Sequence, residues 1–101
     1  MSAPLRIEIT EQAQTQISVA SSWWADNRPA APGAIHEELD RALGLIRVQP
    51  EIGTVARRTT LSGVRRVTLF RIRYYVYYRV AGDAIQVLAF WHTSRGSGPL
   101  L

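Results

Sequence analysis

Few residue types in this chain can do chemistry, and they are unevenly placed. It carries two histidines, His36 and His92, four tyrosines, twelve basic residues and no cysteine. All twelve basic residues are arginine. A guanidinium stays protonated and offers a planar fork of donors to carboxylate or phosphate. Among the basic side chains, only the histidines can therefore accept a proton. The densest cluster is "RIRYYVYYRV", Arg71 to Val80, which holds all four tyrosines and three arginines in ten residues. Such a stretch can be core, a platform for nucleic acid or a surface for a protein partner.

Read as a strand, the stretch separates into two faces, because alternate side chains point to opposite sides. Tyr74, Val76, Tyr78 and Val80 share the face expected to be core. Arg73, Tyr75, Tyr77 and Arg79 share the other. That second strip suits a solvated strand face, whose tyrosines merely favour the conformation. It equally suits a binding surface, because tyrosine and arginine are enriched at interface hot spots. The same two residue types stack on bases and neutralise phosphates. His92 is the one histidine placed for proton transfer, although a histidine at a strand end often only makes a structural hydrogen bond. His36 lies beside the apolar stripe of a helix and reads as a surface residue. Neither histidine has metal-ligand spacing with the other, and there is no thiol and no glycine-rich phosphate loop, so no metal and no cofactor is expected.

The elements that position these residues follow from periodicity. "LRIEIT" alternates Leu5, Ile7 and Ile9 with polar residues, as a short half-buried strand does. Thr10 is placed to cap a helix from about Glu11 to Asn27, whose stripe is Ala13, Ile17, Ala20 and Trp24. Trp23 is adjacent to Trp24, so both cannot enter the core; Trp23 is a candidate contact or a flank cover. "NRPAAPG" breaks the helix. A second helix is predicted from about Ala34 to Gln49 on Ile35, Leu39, Ala42, Leu43 and Ile46, ended by Pro50. "PEIGTVARRTTLSG" reads as irregular. Strand-like runs follow at Val64 to Ile72, Tyr74 to Val80 and Ala84 to His92, with "AGD" as a hairpin link. Residues 93–101 read as a flexible tail. The fold class is thus α+β: an N-terminal strand, an antiparallel helical hairpin and an antiparallel meander, with the helices packed on one face of the sheet.

Length and composition bound the rest. At 101 residues the chain is one domain, 1–101. No apolar run nears the roughly 20 residues needed to span a bilayer, and "MSAPLRIEIT" has no long apolar region of the kind that makes a signal peptide. A cytoplasmic protein with no membrane association is expected. Net charge is +4, and the segment from Arg57 to Arg79 holds seven arginines and no acid. An acidic partner is the simplest complement.

The order of elements also joins particular residues. "GVRRVTL", "YYVYYRV" and "IQVLAFWHTSRGSG" together resemble the C-terminal half of the RelE/ParE superfamily of toxins from bacterial type II toxin–antitoxin pairs. The matching features are Arg65-Arg66, the strand Tyr74 to Val80, and His92 with Arg95. "QPEIGTVAR" looks like the family's link after its second helix. The resemblance implies a choice. RelE-like members are ribosome-dependent endoribonucleases that cut messenger RNA, whereas ParE-like members inhibit DNA gyrase and so stop replication. Both are neutralised by a cognate antitoxin. The hairpin length and the "HTSRGSG" ending look closer to ParE. If the chain were a ribonuclease, His92 would be the acid or base, and Arg65, Arg66 or Arg73 would stabilise the phosphorane. Two positions depart from that pattern. Tyr75 stands where many ribonuclease members have an arginine, and Thr93 where some have a tyrosine.

The expectation is therefore a ParE-like toxin acting by binding, with Arg65, Arg73, Tyr75, Tyr77, Arg79, His92, Arg95 and Trp23 facing antitoxin or target. The alternatives are a RelE-like endoribonuclease, an inert antitoxin-binding relative, and a small basic domain that binds nucleic acid directly.

Overall fold

The computed structural model describes residues 3–101. Met1 and Ser2, the start of the segment judged not to be a signal peptide, lie outside the described residues. The elements are β1 (Arg6–Ile9), α1 (Glu11–Asn27), α2 (Ala34–Ile46), β2 (Thr54–Val55), β3 (Arg65–Leu69), β4 (Tyr74–Ala81) and β5 (Ala84–His92). They form one five-stranded sheet in the order β1-β5-β4-β3-β2. β1 runs parallel to β5, and the other neighbours are antiparallel. The α+β class and the helical hairpin on one sheet face are as the sequence predicts.

Local chemistry explains the boundaries. The Thr10 hydroxyl accepts the Ala13 amide at 3.2 Å, which satisfies one of the free donors at the start of α1. Trp24 closes the hairpin turn by donating from its indole to the Ala31 carbonyl at 2.9 Å. α2 stops at Ile46 rather than Gln49. Its last turn tightens, with the Val48 amide bonded to the Leu45 carbonyl at 3.2 Å, and Pro50 forbids continuation. β2 was not expected. Only two residues long, it has no period to read, and it exists because β3 offers it a partner strand.

The main core lies between the helices and the sheet. Ile17, Ile35, Leu39 and Ile46 meet Val76, Tyr78, Ile85, Val87 and Phe90 there. One irregularity sets which β5 residues reach it. Tyr77 pairs with Ala89 but Tyr78 pairs with Val87, so Leu88 is an extra residue, a β-bulge. Val87 and Phe90 therefore share the helix side, although strict alternation would separate them. Leu88 and Ala89 both turn to the opposite face, where they join Val64 and Tyr77 in a second cluster.

That second cluster has a cover. The residues expected as a flexible tail instead fold back across the sheet. The amide and hydroxyl of Thr60 donate to the Leu101 carbonyl at 2.6 and 2.7 Å. The Trp91 indole donates to the Ser97 carbonyl at 2.8 Å, and Leu101 packs against the cluster. A tail of glycine, serine and proline has no pattern of its own. It is positioned by the apolar surface beneath it.

Candidate recognition face and the question of an active site

β3 and β4 settle which arginines belong with the tyrosines. Arg66 lies opposite Tyr77, and Arg65 opposite Tyr78. Directly opposed residues share a sheet face, so the paired arginines part. Arg66 joins the face away from the helices. Its guanidinium stacks 4.1 Å above the Tyr75 ring and donates to the Tyr77 hydroxyl at 3.2 Å. Tyr75 and Tyr77 meet edge to face at 6.1 Å. Across the sheet, Arg95 stacks 3.6 Å from the Trp91 ring. Tyr75 and Trp91 are themselves register partners, so the two cation–aromatic stacks stand side by side. Each is a partly exposed stack with favourable energy of about 0.5–1 kcal/mol.

Several predicted site residues are otherwise engaged. Tyr77 was expected to face a partner, but it is 5% exposed because the tail and the loop from Ala56 to Val64 cover it. Arg65 was expected on the partner face. It points to the helix side instead and donates to the carbonyls of Gly53 at 2.8 Å and Glu51 at 3.3 Å, fastening the link after α2. The signal was present in the sequence, because Arg65 has the same parity as apolar Val67 and Leu69. Val80, expected under the helices, is 49% exposed at the strand's far end. Arg79 is half-buried and donates to the Gln86 side chain at 2.9 Å. Arg73 is exposed in the turn before β4, in the left-handed region with φ 61°, and its carbonyl accepts the Thr93 amide at 2.9 Å. Trp23 is 48% exposed on α1, with the Arg28 guanidinium 5.3 Å from its ring.

His92 lies on the helix side, edge-on to Tyr74 with ring centroids 5.0 Å apart. Its Nδ1 accepts the Ser94 amide at 3.1 Å and lies 2.7 Å from the Ser94 hydroxyl. A backbone amide can only donate, so Nδ1 carries no proton and the neutral ring has its proton on Nε2. The ring is thus held from its Nδ1 side by the residue two positions on. The residues named for RNA cleavage fail to converge. Arg66 is on the opposite face. Arg65 sits beside Tyr78, four strand positions from Tyr74 and so about 13 Å along the sheet. Only Arg73 is a neighbour of His92. Among the described residues, no group of three histidine, aspartate or glutamate side chains could hold a metal ion.

Two electrostatic features were missed by sequence reasoning. Arg71 donates to Glu37 at 2.9 Å and to Glu38 at 3.1 Å, tying the β3–β4 turn to α2. Those carboxylates raise its pKa further above the ordinary arginine value. Nothing local marks the pair, which is 34 positions apart in sequence for Glu37. The Tyr78 hydroxyl donates to the Pro50 carbonyl at 2.8 Å and accepts the Gly53 amide at 2.9 Å. Burial pushes the pKa of Tyr78 up, opposed by the Gly53 amide and by Arg65. Burial likewise raises Tyr74, opposed by Arg95.

Comparison with known families decides what this scaffold is. Residues 7–96 match the family model of the ParE toxin of type II toxin–antitoxin systems, parDE. The chain belongs to the ParE toxin family. It is similar in fold to a chain of the chromosomal ParDE system from P. aeruginosa, with a TM-score of 0.70 and 21% identity over 92% of this chain and 100% of that one. It is also similar to a chain of the toxin–antitoxin complex RelBE2 from Mycobacterium tuberculosis, with a TM-score of 0.60 and 20% identity over 89% of this chain and 99% of that one. No curated protein matches the sequence. Both solved structures share the fold of this ParE-family chain. No helix among the described residues is long and apolar enough to cross a membrane.

Proposed function

We propose that this chain is a toxin that acts by binding. It holds a DNA topoisomerase, namely gyrase, in a state that halts replication, and a cognate antitoxin neutralises it in the cytoplasm. The observation that carries this reading is the dispersal of His92, Arg65 and Arg66 over two faces and two ends of the sheet. Phosphoryl transfer depends on converging groups, and binding does not. Membership of the ParE family supports the same reading. The contact residues are those left exposed or part-exposed at one end of the sheet: Tyr75 with Arg66, Trp91 with Arg95, Arg73 beside His92, and Trp23 on α1. Arg79 extends the same face at its other end. The acidic C-terminal segment of an antitoxin would meet these cations, ordering as it binds.

Pulse-labelling of DNA and protein synthesis just after induction of the chain alone tests the proposal. DNA synthesis stops first under this reading. Earlier arrest of translation would instead establish a RelE-like endoribonuclease, and arrest of neither would mark an inert relative. His92→Gln separates the readings further. Glutamine can accept the Ser94 amide but cannot transfer a proton, so growth inhibition is retained if the toxin binds and abolished if it cleaves.

A further inference from the structure

One concavity on the molecule is cationic and is not explained by the recognition stacks alone. It is a groove of about 680 Å³ between the segment from Thr54 to Thr59 and the returning tail from Gly96 to Leu100, floored by Arg66 and Tyr77. Three arginines line it, Arg57, Arg58 and Arg66, and no acid does. Arg57 and Arg58 are exposed, and among the described residues neither forms a hydrogen bond or an ion pair. Elsewhere some arginines do have acidic partners: Arg71 has Glu37 and Glu38, Arg41 has Glu38, and Arg6 has Glu8 and Asp83. The groove's three cations thus lie together with no acid among them, unlike Arg6, Arg41 and Arg71.

We propose that this groove binds the phosphate backbone of a single-stranded nucleic acid. Guanidinium forks take phosphate oxygens in pairs, and the Tyr77 hydroxyl, which accepts from Arg66, keeps its own proton to donate. Gly96 has open space where a Cβ would stand, so backbone can be approached closely there. What favours a nucleic acid over an acidic peptide is the upper end of the groove. Arg66 is shared with the Tyr75 stack, and Trp91 bonds Ser97 of the groove wall. Flat guanidinium planes on aromatic rings are surfaces on which bases stack. Free cations beside flat stacked ones match a chain that alternates phosphates with rings, whereas a peptide carboxylate has no use for the planes.

The test is fluorescence anisotropy with the purified full chain and a labelled single strand of about 12 nucleotides. With three phosphates neutralised, the affinity falls roughly 18-fold between about 50 and about 200 mM salt. The variant Arg57→Gln/Arg58→Asn keeps one contact, so its affinity falls only about threefold over the same range. Asparagine is chosen because Arg58 has φ 62°, which asparagine tolerates. Arg57→Lys/Arg58→Lys retains the steep dependence. Absence of strand binding, or an unchanged salt slope in the neutral variant, overturns the proposal. So does displacement of the strand by an oligoglutamate peptide at equal charge, which would make this a peptide groove. Displacement by sub-millimolar inorganic phosphate overturns it too, since the site would then serve the free ion.

Discussion

The two faces of the sheet are built from the same strands and yet are held by different physics. On the helix side, α1 and α2 seal Ile35, Ile46, Tyr78, Ile85 and Val87 at 0% exposure. On the other side a thin strap of loop and tail covers part of the surface and leaves the Arg66–Tyr75 and Arg95–Trp91 stacks in reach of solvent. The first face stores stability by removing apolar area from water. The second holds cations in flat, preorganised positions at little energetic cost, and is free to meet a partner. The two cation–aromatic stacks and the main core thus lie on opposite sides of one sheet.

Three substitutions can break or sharpen that contrast. Ile35→Ala hollows the sealed face and should cost about 3.5 kcal/mol in urea unfolding, near the middle of the range for buried isoleucine. Tyr78→Phe strands the Gly53 amide and the Pro50 carbonyl and should cost about 2 kcal/mol. It also changes alkaline behaviour. Because burial raises its pKa, folded Tyr78 keeps its proton where the unfolded chain loses it, near pH 10. That contribution is whole below the unfolded value and is lost as pH rises through the folded one. The stability of the wild type should therefore fall above pH 10 more steeply than that of the variant, with Tyr74 left to supply the remaining slope. Arg66→Gln, on the open face, should cost about 0.5 kcal/mol in the same unfolding assay. A loss matching that of Ile35→Ala would mean that the second face is core rather than recognition surface.

Much of this was legible in the residues. The i, i+4, i+7 spacing predicts α1 from about Glu11 to Asn27, and a strand-like apolar run predicts β5 from Ala84 to His92; both elements have those bounds. Such signals are local and repeat often enough to be read. The extra residue at Leu88 leaves no such mark, because a bulge is chosen by pairing with β4 and not by β5 alone. The burial of Tyr77 depends on a tail with no periodicity, so exposure was inferred where cover exists. The site was harder than the fold for the same reason. Parity correctly grouped Tyr75, Tyr77 and Arg79, but Arg66 joined them only once the β3–β4 register was known. The bulge is what puts His92 on the opposite face from Arg66.

The parallel pairing of β1 with β5 has a consequence for how the chain is made. Arg6 and Asp83, which meet at 2.8 Å, are 77 positions apart. At ordinary rates of synthesis, roughly 4–15 s separate their emergence from the ribosome. Through that interval the helical hairpin can form from local contacts, but the first strand has no neighbour to bond. β5, the last strand among the described residues, is also the one that seats β1, so β1 joins the sheet only after β5 is made. A nascent chain cut short before Ala84 carries most of the arginines and tyrosines yet cannot assemble the surface they form.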